Sequence, residues 1–109
     1  MMDDLNKLVK YNSLLLIYQE LLSKTQKEIL TDYFAFNLSI SEIATNREVS
    51  RAAVEDAIKK GQAKLDELEN ALGVYSKNSK IRALLDSLRE TNDDKEKNSI
   101  IEEIERIIK

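Results

Sequence analysis

Apolar residues recur at steps of three and four along most of this chain, the period of a helix that buries one face. The first such run covers about Asp4 to Leu22, with Leu5, Leu8, Val9, Leu15, Leu16 and Leu22 near helical spacing. Its middle, Leu14-Leu15-Leu16-Ile17-Tyr18, is apolar nearly all round. A helix covered on one side needs only a single stripe, so this segment is expected to have neighbours on two sides, a second copy of the chain being one candidate. Ser23-Lys24-Thr25-Gln26 fits the capping box, in which hydroxyl and amide satisfy two exposed N–H donors reciprocally. The helix it opens reaches about Phe36 and turns Ile29, Leu30, Tyr33 and Phe34 toward a core, with Asn37 suited to the left-handed residue that ends it.

A second box, Ser39-Ile40-Ser41-Glu42, opens a short helix from Ile40 to about Asn46. After the turn Arg47-Glu48-Val49, Ser50 caps a long helix, Arg51 to Leu72. Within it Val54, Ile58, Gly61, Leu65, Leu68 and Leu72 are spaced 4, 3, 4, 3, 4. That is a one-stripe seam about 33 Å long at 1.5 Å per residue. Gly73 is placed to close it. The expected core is Leu8, Leu15, Leu16, Leu22, Leu30, Phe34, Ile43, Ala44, Val54, Ile58 and Leu65.

Residues 74–109 form a different part, set off from residues 1–73. Ser76–Leu88 carries Ile81, Leu84, Leu85 and Leu88 on one face, and Thr91-Asn92-Asp93-Asp94 interrupts. Ile100, Ile101, Ile104, Ile107 and Ile108 then make another stripe, five isoleucines in nine residues. Such a segment is too apolar for a loose tail, so a helical hairpin packed on the body or on a second subunit is expected.

Composition narrows the class. With no Pro and only two Gly in 109 residues, a turn-rich β protein is excluded and the fold is expected to be all-α. There is no Cys and no His, which removes thiolate nucleophiles, disulfides, zinc sites built on those residues and the commonest general base. No Gly-rich phosphate loop, metal-ligand spacing or nucleophile–base pair occurs, so neither an enzyme nor a cofactor or metal site is expected. The acidic runs Glu102-Glu103 with Glu105 and Asp93-Asp94 read as solvated helix faces. No run approaches ~18 uninterrupted apolar residues, so no membrane span is expected. The acidic start Met1-Met2-Asp3-Asp4 is unlike a signal peptide, which points to a cytoplasmic protein. Seventeen Lys+Arg against twenty Asp+Glu leave a net charge of −3, so any nucleic-acid binding must come from a local patch.

A short helix, a three-residue turn and a second helix make the helix-turn-helix pattern. Ala44 is the small residue where the helices touch, Val49 the apolar anchor of the turn, and Val54 and Ile58 face back from the second helix. A helical hairpin in an ordinary bundle meets the same packing demands. In the helix-turn-helix reading Arg51, Ala52, Glu55, Asp56 and Lys59 are left facing a groove.

Leu38-Ser39-Ile40-Ser41-Glu42-Ile43-Ala44 followed by Val49-Ser50-Arg51-Ala52-Ala53-Val54 resembles the end domain of bacterial sigma factors, the part that reads a promoter element. Leu21 to Lys27, Asp32-Tyr33-Phe34, Ile58-Lys59-Lys60, and Tyr11-Asn12-x-Leu14 with Tyr18-x-x-Leu21-Leu22 are similar in more detail to the YlxM-like family. These are small bacterial proteins with a sigma-like helix-turn-helix, encoded beside the signal recognition particle GTPases. The resemblance covers about residues 11–73. It implies an all-α, sigma-factor-like helix-turn-helix domain with a C-terminal helical extension, DNA-binding or regulatory action, a part in the signal recognition particle pathway, and homodimers. Two departures from the usual motif stand out. Glu48 occupies the turn position where Gly or Asn reaches positive φ cheaply, at a cost on the order of 1 kcal/mol, and Arg47 stands where an apolar plug is usual.

The candidate nucleic-acid contacts are therefore Ser50 and Arg51 on phosphate at the helix N-terminus, Ala52, Glu55 and Asp56 nearest the bases, and Lys59 and Lys60 on the backbone. Residues 50–64 hold four cations against two carboxylates, a net of +2, so binding to DNA or RNA is expected to be weak and salt-sensitive. The alternative is an adaptor that keeps the fold and binds protein or RNA without sequence-specific DNA binding, through a dimer surface or the apolar hairpin, with a signal recognition particle component as partner.

Overall fold

The computed structural model describes residues 2–109, with side chains from Leu5 onward, as six α-helices and no strand. They are α1 (Met2–Tyr18), α2 (Lys24–Leu30), α3 (Ile40–Arg47), α4 (Arg51–Leu72), α5 (Val74–Glu90) and α6 (Asp94–Ile108). The chain divides into two compact units, one ending at Leu72 and the other Gly73–Lys109.

In the first unit α1, α2 and α3 all pack on α4, whose Val54, Ile58, Gly61 and Leu65 are buried. The stripe fades toward the C-terminus, where Leu68 is half-buried and Leu72 exposed. Both capping boxes form. Ser23 Oγ accepts from the Gln26 N–H at 3.2 Å while Gln26 Oε1 accepts from the Ser23 N–H at 3.3 Å, and Ser39 and Glu42 repeat the exchange at 3.1 and 2.9 Å. The Ser39 donors hold the exposed Glu42 carboxyl below the usual carboxylate range.

Two helix ends depart from the expected bounds. The first helix stops at Tyr18 and tightens into a 3₁₀ turn over Gln19–Leu21. The second widens into a π turn over Thr31–Ala35 before Asn37 reverses the chain at φ 55°. Side chains supply what the wider turn gives up. Thr31 Oγ1 donates to the Lys27 carbonyl at 2.6 Å, and Asn12 Nδ2 donates to the Phe34 carbonyl at 2.9 Å. Phe34 is thereby seated in the core, stacked on Tyr11 with centroids 5.3 Å apart and edge-on to Tyr33 at 5.0 Å.

The apolar middle of α1 finds its two neighbours inside the unit, α4 and the π turn. Leu14, Leu15 and Tyr18 are buried and Ile17 half-buried, but Leu16 is 73% exposed, contrary to the expected core. Leu8 and Leu22 are half-buried. Tyr11 and Tyr18 replace them in the core, their rings inside and their hydroxyls on α4 carboxylates. Tyr11 Oη donates to Asp66 at 2.9–3.0 Å and Tyr18 Oη to Glu69 at 2.8 Å.

Burial and the bond to Asp66 push the Tyr11 phenol up to about 12. The unfolded chain ionises near 10, so the stability tied to the neutral phenol is complete below pH 10 and is lost as pH climbs from there to about 12. Urea midpoints measured at pH 9 and at about pH 11 should show this alkaline loss in the natural chain and a smaller one in Tyr11→Phe.

The second unit is the antiparallel pair α5 and α6. Asp93 caps α6 by accepting from the Lys95 N–H at 3.2 Å. Ile100 is its buried apolar side chain.

Candidate nucleic-acid interface

The candidate site is built by α3, the turn after it and the first half of α4. Ile43 and Ala44 of α3 are buried and face α4, where Val54 is fully buried and Ile58 nearly so. The turn is closed by the Glu48 N–H on the Ala44 and Thr45 carbonyls and by the Val49 N–H on the Ala44 carbonyl at 3.0 Å. Closing it this tightly requires Glu48 at φ 56°, ψ 44°, the left-handed region expected at this position. Glu48 is exposed and its side chain makes no hydrogen bond or ion pair among the described residues, so Glu48→Gly removes the Cβ penalty and should raise stability by about 0.5–1 kcal/mol in denaturant titrations.

Val49 does not anchor the turn. It is 44% exposed, because the backbone bonds of residues 48 and 49 hold the turn without it. Arg47 supplies the missing attachment. Its Nε donates to Asp32 Oδ2 at 2.7 Å and its Nη1 to Glu28 Oε2 at 2.9 Å, tying the end of α3 back to α2 and the π turn. The Asp32 carboxylate beside it holds the guanidinium more firmly protonated than usual. The apolar plug of the usual motif is replaced by an ion-paired one.

Ser50 caps α4 by accepting from the Ala53 N–H at 3.0 Å. Beyond it, at 100° per residue, Ala52, Glu55, Asp56 and Lys59 fall on the arc opposite Val54, Ile58, Gly61 and Leu65. All seven residues singled out from the sequence, Ser50, Arg51, Ala52, Glu55, Asp56, Lys59 and Lys60, are exposed, on the N-cap and the first turns of one helix. Lys60 is engaged by Asp56 at 3.0 Å, one turn away. Arg51 and Lys59 make no ion pair among the described residues, which leaves them as the open cations of this face. Two residues named in the sequence for the turn were not counted among the candidate contacts. Val49 is an exposed apolar side chain beside Ser50, and Arg47 ties the end of α3 to Asp32 and Glu28. Only the absence of the usual apolar residue at 47 marked the latter in the sequence.

The model of a family described as "Putative helix-turn-helix protein, YlxM / p13 like" matches residues 5–107. The chain belongs to this family. The match runs past residues 11–73 and takes in α5 and α6, so the hairpin is part of the YlxM/p13-like pattern. Among curated relatives, a UPF0122 protein of Fusobacterium nucleatum is 46% identical over 86 residues, 79% of this chain and 84% of the relative. One of Exiguobacterium sibiricum is 40% identical over 86 residues, 79% and 81% of the two chains. The UPF0122 protein YlxM of Bacillus subtilis is 33% identical over 107 residues, covering 94% of this chain and 97% of its own. The YlxM/p13-like description is of a helix-turn-helix protein, not of an enzyme.

Proposed function

We propose that this YlxM/p13-like protein is a non-catalytic, cytoplasmic regulatory protein that lays the first half of α4 in a groove of duplex DNA. One observation carries the reading. The seam residues of α4 are buried against the rest of the first unit while every residue on the opposite arc from Ser50 to Lys60 is exposed. Arg51 at the helix N-terminus and Lys59 two turns on are spaced to meet phosphates, and Ala52 is small enough for the helix to approach base edges between them. Glu55 and Asp56 accept from cytosine amino groups, so acidic side chains in this place favour some bases over others. On the strength of the family resemblance, we place this action in the signal recognition particle pathway.

Two open cations per copy imply few phosphate contacts, and a homodimer doubles them. The test is an anisotropy titration against mixed-sequence duplex DNA and hairpin RNA at about 50 and 200 mM salt. The reading expects duplex binding at low salt that weakens with a logarithmic slope of about −2 per copy, from roughly 0.9 ions per phosphate. Absence of binding to either nucleic acid at low salt overturns it. The adaptor reading would then stand, favoured by one feature of the same face: Glu48, Glu55 and Asp56 are all exposed on it.

A further inference from the structure

The turn between α3 and α4 holds an apolar side chain that the fold does not use. Val49 is β-branched and stands where such a residue anchors the turn, yet it is 44% exposed. Backbone bonds close the turn instead, with the Glu48 and Val49 N–H groups both reaching the Ala44 carbonyl. Arg47 adds the side-chain attachment, through Asp32 at 2.7 Å and Glu28 at 2.9 Å. With that attachment carried by charge, the valine is released to the surface.

Single exposed apolar side chains are ordinary on a protein surface. Placement distinguishes this one. Among the described residues, Val49 is the one large hydrophobic exposed between Leu38 and Leu72. It directly precedes Ser50, whose hydroxyl caps α4 by accepting from the Ala53 N–H at 3.0 Å. Its side chain therefore lies at the helix end that the groove reading brings to the bases, followed by the exposed Arg51, Ala52 and Glu55. The major groove presents hydrogen-bond donors and acceptors at every base pair and a single apolar group, the C5-methyl of thymine. A valine set against donors and acceptors strips their water and returns no hydrogen bond, whereas against a methyl it buries apolar area on both partners. One side chain thus favours thymine and penalises the other bases. It also separates the nucleic acids. Uracil lacks the methyl, and the major groove of A-form RNA is too deep and narrow for side chains to read.

We propose that Val49 is a specificity-determining residue, packing on the C5-methyl of a thymine at the N-terminal end of α4, and that the ligand of this face is thymine-containing duplex DNA rather than RNA. The inference rests on the groove reading of α4 and deepens it. Glu55 and Asp56 offer acceptors to base amino groups, while Val49, with the small Ala52 after it, offers apolar surface at the entrance. Arg47 belongs to the same arrangement. By taking over the attachment of the turn it frees residue 49 for contact with a base.

The test is a cycle of protein and DNA changes. Duplexes enriched by the natural full chain from a randomised pool at about 50 mM salt are remade with uracil in place of thymine, which deletes the methyl and leaves the base-pair hydrogen bonds intact. The natural chain should bind the uracil forms about three- to fivefold more weakly, the worth of one buried methyl group. Val49→Ala should lose a similar factor on the thymine duplexes and bind the two forms within about twofold of each other. Val49→Thr, nearly the same shape with one methyl exchanged for a hydroxyl, should fall between them. Val9→Ala, at an exposed valine of α1, should discriminate as the natural chain does. Equal binding of both forms by the natural chain overturns the proposal and leaves the groove reading in place. Discrimination that survives Val49→Ala also overturns it, because the methyl is then read by another side chain. Failure to bind any duplex overturns the groove reading, and this inference with it.

Discussion

Leu30→Ala should lower the stability of the first unit by about 3–5 kcal/mol, and Gly61→Ala should change sign in its presence. Leu30 is fully buried where α2 crosses α4, and Gly61 is the residue it lies upon. A Cβ at 61 would meet Leu30 Cδ1 at 2.5 Å and Cγ at 2.9 Å. Truncating Leu30 removes a full core side chain and leaves a cavity, which accounts for the size of the loss. Gly61→Ala alone forces a packed leucine to shift, at about 1–3 kcal/mol, against a gain of up to ~1 kcal/mol in helix propensity. The net is a loss of about 1 kcal/mol. In the Leu30→Ala background the obstructing atoms are gone and the added methyl occupies part of the cavity, so the same change should stabilise by up to ~1 kcal/mol. Denaturant titration of the four chains reads the coupling directly. Independent effects at the two sites would mean that α2 does not cross α4 at Gly61, and the support under the recognition segment would have to be redrawn.

Arg51→Glu together with Lys59→Glu should abolish nucleic-acid binding at low salt, a loss of about a hundredfold or more, while leaving stability within about 0.5 kcal/mol. Both side chains are exposed, and neither is paired among the described residues. Lys24→Glu, also at an exposed position in the first turn of a helix, makes the same kind of charge change elsewhere and should alter affinity far less. Equal losses from both would show that bulk charge, not the α4 face, governs association.

How much of this was legible in the sequence depends on how local the signal was. The capping boxes at Ser23 and Ser39, the bounds of α4, the left-handed Asn37 and Glu48 and the closing Gly73 all appear as expected, because each is decided within four residues of chain. The buried stripe of α4 was equally plain down to Leu65. What escaped depends on partners far along the chain. Tyr11 and Tyr18 enter the core because Asp66 and Glu69, 55 and 51 residues away, receive their hydroxyls. The π turn has no periodic signature, being a single turn stabilised by Asn12 from another helix. Leu16 looked like core because its neighbours are core, yet one residue along a helix is a 100° rotation, enough to carry it from Leu15 to the open face. Val49 was assigned an anchoring role on the pattern of the motif, when backbone hydrogen bonds and the distant carboxylates of Arg47 do that work. At the candidate site the exposure of Ala52, Glu55, Asp56, Lys59 and Lys60 followed from α4's register and that of Ser50 and Arg51 from their place at the helix start, whereas the engagement of Lys60 by Asp56 narrowed the open cations to Arg51 and Lys59.

The most direct test of the central claim, that the first half of α4 is the surface offered to DNA, is to follow the backbone amide resonances of the full chain during titration with a mixed-sequence duplex at about 50 mM salt. The claim predicts that shifts gather on residues 50–60, with the buried amides of Leu14, Leu30 and Leu65 unmoved. Shifts confined to α5 and α6, or none anywhere at saturating duplex, would contradict it.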